Sequence, residues 1–313
     1  MKKYSIWLLA LLIPVVSFSQ DDLLGDLEKQ ESSRVKEEIT TATFKGTRVI
    51  NMHSTEMTGL GNLQFLIIHH FGPIWVEGKG ADNLARVFGL NTGFANTYMS
   101  FDYSFKRWLN AGVALVGNQG FEGTLKFKLM RQQTGKRNFP VSIAWVSTAA
   151  ITPSKDVPAP DGLFWNRMSY LNQLLVSRKF NEKFSLQLNP SVVHYNIVGY
   201  GPNNANSIYS IGFGGRYKLS DKKALTFEYS RQLNGYKNIM DKSGETTNYT
   251  PDLISLGYDW DTGGHIFQFF FSSSAFASNL SQLSLNTNKI RPGNFSLGFN
   301  LNRSYAIKKV VQH

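Results

Sequence analysis

The chain has 313 residues, 13% of them aromatic, and no cysteine, which excludes disulfides, cysteine-based metal sites and a lipoprotein anchor. Its 33 basic residues against 22 acidic ones give a net charge of +11. The bases are scattered through strands and turns with no long basic run, which argues against nucleic acid as a partner and for anionic lipid head groups or lipopolysaccharide.

Lys2 and Lys3, the apolar run Ile6 to Val16 and the small residues of Ser17-Phe18-Ser19 read as a secretory signal at 1–19, with cleavage before Gln20. The apolar run is shorter than the roughly 20 residues a membrane-crossing helix needs. Residues 20–55 form a leader expected in the periplasm, and 56–313 form the main domain. Within the leader, residues 21–38 hold seven acids against Lys29, Arg34 and Lys36, a charge of −4. Leu23, Leu24 and Leu27 have helical spacing, consistent with a short helix or a flexible arm.

Beyond the leader, period-2 alternation recurs. Strands are expected at 62–71, 95–107, 110–117, 121–131, 139–149, 166–180, 183–197, 207–218, 223–232, 252–260, 264–273 and 294–303. The last is the clearest: Phe295, Leu297, Phe299 and Leu301 alternate with small or polar residues. Connections after odd-numbered strands (72–94, 118–120, 150–165, 198–206, 233–251, 274–293) are long in all but one case. Those after even-numbered strands (108–109, 132–138, 181–182, 219–222, 261–263) are short. Long external loops alternating with tight periplasmic turns are the organisation of an all-β, antiparallel, up-and-down transmembrane barrel, here of about twelve strands, in the outer membrane. A soluble sandwich has no reason to segregate its loops in this way. Asn189-Pro190 interrupts a strand whose apolar phase slips from Phe184, Leu186 and Leu188 to Val193, Tyr195 and Ile197, which predicts a β-bulge.

In a membrane barrel the bulky face turns outward. Met99, Phe101, Tyr103 and Phe105, with Tyr209, Ile211, Phe213, Phe267, Phe269 and Phe271, are therefore assigned to lipid. Trp75 and Trp165 fall at outer strand ends and Trp108 and Trp260 at inner ends, as two interfacial girdles require, whereas Trp145 fits neither. The polar phase makes Asp102, Glu122, Lys126, Lys128, Arg216, Glu228 and Asp259 lumen-lining candidates. They either pair across facing strands to close the interior or line a narrow pore of mixed charge. Phe65 to Ile68 and Leu174 to Val176 are apolar on both faces, so the lumen is packed or covered there. The extended segment 43–55 is a candidate plug, the alternatives being an additional strand or a free periplasmic arm.

The motif Thr43-Phe44-Lys45-Gly46-Thr47-Arg48-Val49-Ile50-Asn51, followed by His53-Ser54, by a strand ending His70-Phe71-Gly72 and by Arg86-Val87-Phe88-Gly89-Leu90, resembles domain-of-unknown-function family 5777. These are uncharacterised Gram-negative outer-membrane β-barrels, and the resemblance covers most of the mature chain. It implies the fold and the location but no activity. Met52 stands where a glycine is expected, against a tight turn there.

No catalytic constellation or metal set emerges, and no cofactor is expected. An outer-membrane esterase of the twelve-stranded phospholipase type is the alternative to a small pore, a ligand-binding barrel or a surface-structural protein. It needs a serine beside a histidine on one strand face. His53-Ser54 point to opposite faces, His194 has Val192 and Asn196 as same-face neighbours, and His265 has Gly263 and Phe267. His69 and His70 diverge and do not share a metal. Glycines Gly212, Gly214 and Gly215 relieve crowding on the lumen face rather than form a dinucleotide loop. The expected partners are outer-membrane lipids and lipopolysaccharide, a possible small solute, and the barrel-assembly machinery. That machinery reads a terminal aromatic, here Phe299, or Tyr305 if the last strand extends through Ile307.

Overall fold

Twelve antiparallel strands close into one barrel. The computed structural model describes residues 37–76, 78–87, 95–117, 120–152, 164–197, 205–234, 236–240, 246–249, 252–286, 290 and 292–308. The signal segment and residues 20–36 of the leader, with the helical spacing of Leu23, Leu24 and Leu27, lie outside the described residues. The strands are β1 (Asn62–Pro73), β2 (Ala95–Lys106), β3 (Leu109–Val116), β4 (Gly120–Met130), β5 (Ser142–Ile151) and β6 (Met168–Lys179), then β7 (Phe184–Tyr195), β8 (Ser207–Ser220), β9 (Lys223–Gln232), β10 (Asp252–Asp261), β11 (His265–Ser272) and β12 (Ser296–Ala306). Each strand pairs with its sequence neighbours, and β12 closes on β1 through pairs such as Phe299↔His69 and Tyr305↔Leu63. Closure pairs every strand edge, which is what a sheet in hydrocarbon requires.

The expected strands all form, with ends displaced by a few residues. The final strand runs on to Ala306 and includes Tyr305. Between β1 and β2 lies a short helix α1 (Asp82–Val87), and between β11 and β12 a helix α2 (Asn279–Leu285). Tyr236–Met240 and Thr246–Tyr249 pair as a small separate hairpin in the β9–β10 loop. One end of the barrel, the turn end, carries the tight connections, with Gly263 at a φ of 88°. The other, the loop end, carries the long ones.

The alternation decides which face is which. On β2, Phe101 and Phe105 are exposed while Ser100 and Ser104 are buried. The outer wall keeps rows of bulky apolar side chains uncovered, among them Val113 at 66%, Leu256 at 58% and Phe121 at 56% exposure. Apolar surface on this scale is stable only against lipid or a partner. Trp75, Trp108, Trp165 and Trp260 are all exposed, and Trp145 faces outward at mid-strand with its Nε1 donating to Ser147 Oγ.

The bulge expected at Pro190 does not form. Pro190 pairs with Ile211 in an unbroken register on one side, and Gln173↔Ser191 and Val176↔Leu188 keep one register on the other. Burial also alternates without a slip: Gln187, Asn189, Ser191 and Val193 face inward and exposed Pro190 faces outward. The change of apolar phase has a different cause. Buried Leu280 and Leu283 of α2 pack on Leu171 and Val193 from inside the lumen, so the inner face turns apolar at that height.

Candidate functional site

Residues 43–58 lie inside the barrel and are mostly buried. Their core is a hairpin rather than the extended strand that β-prone residues suggested. Val49 N donates to Met52 O at 2.9 Å, Ser54 N donates to Thr47 O at 2.9 Å, and Arg48 bridges His53. A tight turn thus forms at 49–52 despite Met52, which adopts no positive φ. Inside a closed barrel the hairpin has no free strand edge to pair with, so the side chains of the wall must satisfy its backbone.

Glu228 of β9 does most of this. Its fully buried carboxylate accepts the backbone N–H groups of Ile50 (2.7 Å), Asn51 (2.8 Å) and Met52 (2.8 Å) on Oε1. Three successive amides turned toward one anion form a nest, which a carboxylate fills as a charge-assisted acceptor. Lys126 of β4 provides the opposite sign. Its Nζ donates to the carbonyls of Thr47 (3.2 Å), Ser54 (3.0 Å) and Glu56 (3.1 Å). Neutral wall groups complete the set: Gln268 Nε2 donates to Val49 O, Asn300 Nδ2 to Ile50 O and Gln187 Nε2 to His53 O, each at 2.7 Å.

The wall is flattened where the hairpin touches it. A Cβ on Gly212 would stand 2.9 Å from Met52 Cε, and one on Gly214 would stand 3.2 Å from Val49 Cγ2. These glycines make room for the hairpin, whereas Gly215 leaves room for the Phe227 ring.

A second element enters from the loop end. After β11 the chain turns inward, and Ser274, Ala277 and Ser278 are buried together with most of α2. Ser278 Oγ donates to Glu122 of β4, and Gln232 Nε2 donates to Leu283 O at 2.7 Å. The two insertions meet in mid-lumen. Ile50 and Ala277 belong to one apolar cluster with Leu66, Ile68, Tyr98 and Phe270. His70 bridges them, with Nε2 2.9 Å from Asn51 Oδ1 and Nδ1 3.0 Å from Ser274 O. The stretch Phe65 to Ile68, apolar on both faces, is therefore apolar inside because the insertions cover it.

Of the seven charged lumen candidates, Glu122, Lys126, Arg216, Glu228 and Asp259 are buried and Asp102 and Lys128 are half-buried. Pairing across the wall is limited to Arg216–Asp259 at 3.9 Å. Asp102 accepts from Ser100 Oγ and lines, with Arg48, His53 and Lys126, a void of about 10 Å³, room for about one water. Cross-strand pairing, one of the two arrangements expected, is thus met among the seven at Arg216–Asp259 alone. Glu228 accepts from inserted backbone amides, Lys126 donates to inserted backbone carbonyls, and Glu122 accepts from the inserted Ser278 hydroxyl. Sequence reasoning missed Asn51, Gln187, Gln268, Asn300 and Thr55 as members of the site. For Gln187, Gln268 and Asn300 the signal was an amide in the inward phase of the strand; Asn51 and Thr55, on the inserted segment, carried none.

His53 is fully enclosed. Burial first, then the nearby Arg48 and Lys126 charges, push its pKa well below 6.5. His69 and His70 diverge, with His69 outside against Thr97 and Phe299. His194 does meet a serine, but across strands: Nδ1 lies 2.9 Å from Ser207 Oγ on the exposed face. Among the described residues no carboxylate or amide bonds its other ring nitrogen, and no His, Asp or Glu cluster is grouped to hold a metal.

A search of curated proteins returned no match. Among solved structures, the NanC porin aligns over 78% of this chain and 98% of its own, at 6% identity and a TM-score of 0.45. A Pseudomonas aeruginosa FadL homologue aligns over 85% and 94%, at 11% identity and a TM-score of 0.36. The Acinetobacter baumannii outer membrane channel DcaP aligns over 87% and 71%, at 9% identity and a TM-score of 0.33. The family model described as "Membrane bound beta barrel domain (DUF5777)" matches residues 44–305, from the first buried apolar residue of the inserted hairpin to the last aromatic of β12. The chain belongs to this family of membrane-bound β-barrels.

Proposed function

We propose that the protein is a non-enzymatic outer-membrane barrel whose lumen is held shut by its own leader, a plugged pore for a small solute. The observation that carries this reading is the seat of residues 43–58 on Glu228 and Lys126. A structural barrel needs no charged socket for a removable hairpin. In this reading residues 1–19 are a cleaved signal, the turn end faces the periplasm, and the long loops face outward among lipopolysaccharide. Trp75 and Trp165 mark one membrane interface and Trp108 and Trp260 the other. The assembly machinery reads Phe299 or Tyr305. The exposed apolar rows supply the lipid contact, and no nucleic acid is involved.

Planar-bilayer conductance of the mature chain against a variant lacking residues 20–55 tests the proposal. The full chain is expected to be nearly silent and the truncated one to conduct. Equal conductance of two correctly folded proteins sinks the plug. Silence of both refutes opening by loss of the leader alone, since the buried 274–284 segment still fills the loop end of the lumen.

A further inference from the structure

The turn-end mouth contains a cavity of about 480 Å³ between the inserted segment and the wall. Three cations line it: Arg107 from the β2–β3 turn, Lys128 from β4 and Arg131 just beyond β4. Glu56 is the one carboxylate among the lining residues, so the lining carries a net charge of +2. Glu56 is already engaged, its Oε1 accepting Thr43 N at 2.9 Å and Phe44 N at 3.4 Å. Among the described residues none of the three cations makes an ion pair within 4 Å. Arg131 reaches only the Arg107 carbonyl, at 3.3 Å. Thr40, Thr41, Thr43, Thr58 and Ser142 add hydroxyls to the surface, and Met57, Gly59 and Leu60 supply the rest of it.

Like charges gathered at a concave site repel one another and focus a positive potential into it. Elsewhere in the lumen this chain partners its charges, Glu228 with three amides and Lys126 with three carbonyls. The mouth departs from that habit. Its size suits a small organic molecule, its guanidinium groups suit bidentate oxyanions, and its hydroxyls, apart from Thr58, whose Oγ1 already donates to Gln64 Oε1 at 3.1 Å, can donate to further oxygens.

We propose that this cavity is a binding site for a small oxyanion, a multiply charged carboxylate or phosphate of metabolite size. The site deepens the reading of the barrel as a solute-handling protein. Thr43, Glu56 and Thr58 belong to the inserted segment, so an anion bound here touches the plug as well as the wall.

The test is calorimetric titration of the full mature chain in detergent with citrate and with inorganic phosphate, glucose serving as a neutral control. Citrate or phosphate is expected to bind, more weakly at higher salt, and glucose is not. Lys128→Gln and Arg131→Gln are each expected to weaken binding about tenfold, the size of one lost charge-assisted hydrogen bond. Lys128→Arg restores most of it, and Lys222→Gln on the exposed β8–β9 turn changes nothing. Heat-modifiable migration shows that each variant is folded. The proposal is overturned by absence of anion binding, whether the cations are simply solvated or already met by the acidic leader, or by equal losses in Lys128→Gln and Lys222→Gln. Binding is read without conductance, so it can fail while the plug survives, and the reverse.

Discussion

Glu228→Ala removes the acceptor for three buried amides at once. An amide left buried without a partner costs about 1–3 kcal/mol, so three cost roughly 3–9 kcal/mol. Part of this is returned, because the seated hairpin no longer has to hold a desolvated carboxylate, itself a cost of several kcal/mol. A net loss of about 3 kcal/mol shifts the balance between seated and released hairpin on the order of a hundredfold. The barrel wall is affected far less, since Glu228 keeps its β-ladder pairs with Gly214 and Ser255. The chain has no cysteine, so Val49→Cys in the 1% exposed core of the hairpin gives a single reporter of similar character. Maleimide labelling of that thiol in the folded protein is expected to be slow in the parent and about a hundredfold faster with Glu228→Ala. Glu228→Gln, which keeps one acceptor oxygen for the amides, falls between. Labelling of Glu228→Ala at the parent rate, in a protein that still runs as a folded barrel, refutes the assignment of the nest as the latch.

Further outcomes follow from the same geometry. His53 is held neutral by burial, with its pKa well below the 6.5 of the released chain. The released hairpin therefore binds more protons as pH falls through 6.5, and seating weakens by up to about 1.4 kcal/mol per pH unit below that point. Labelling of Val49→Cys, normalised at each pH to that of a fully exposed thiol because maleimide reacts with the thiolate, should accelerate on acidification, and His53→Gln should flatten the response; an unchanged normalised pH profile in His53→Gln removes this residue from the mechanism. Gly214→Val drives branched methyl groups into Val49 and should raise conductance. Gly212→Ala meets the flexible end of Met52 at 2.9 Å and the rotatable Ser230 hydroxyl at 3.1 Å and should leave the pore closed, so a reversed order would contradict the packing. Pro190→Ala is expected to change stability by no more than about 0.5 kcal/mol in denaturant titration, because Pro190 sits outward in an unbroken register.

The strand count, the closure and the outward aromatic rows were legible because they depend on period-2 alternation and on the segregation of long and short connections. Both are local properties of the chain. A strand shows its two faces within ten residues, and Phe295, Leu297, Phe299 and Leu301 did so without ambiguity. Even the misread at Pro190 began from a real signal, the change of apolar phase between Leu188 and Val193. Its cause lay more than eighty residues away, in the leucines of α2.

The site followed the same division. Alternation placed Glu228 and Lys126 on the inner face, because that requires only their own strands. What they bind could not be read there. Glu228 and the amides it accepts are 176 to 178 residues apart in sequence, and His70 and Ser274 are 204 apart. Closure of the barrel brings such groups within reach of one hairpin, and a buried hairpin without a pairing edge must draw its hydrogen bonds from the wall. The sequence by itself therefore determined a membrane barrel with a charged interior. The tertiary structure alone decided that the interior is occupied by the chain itself, because partners for buried backbone are chosen by proximity in space and not by order along the chain.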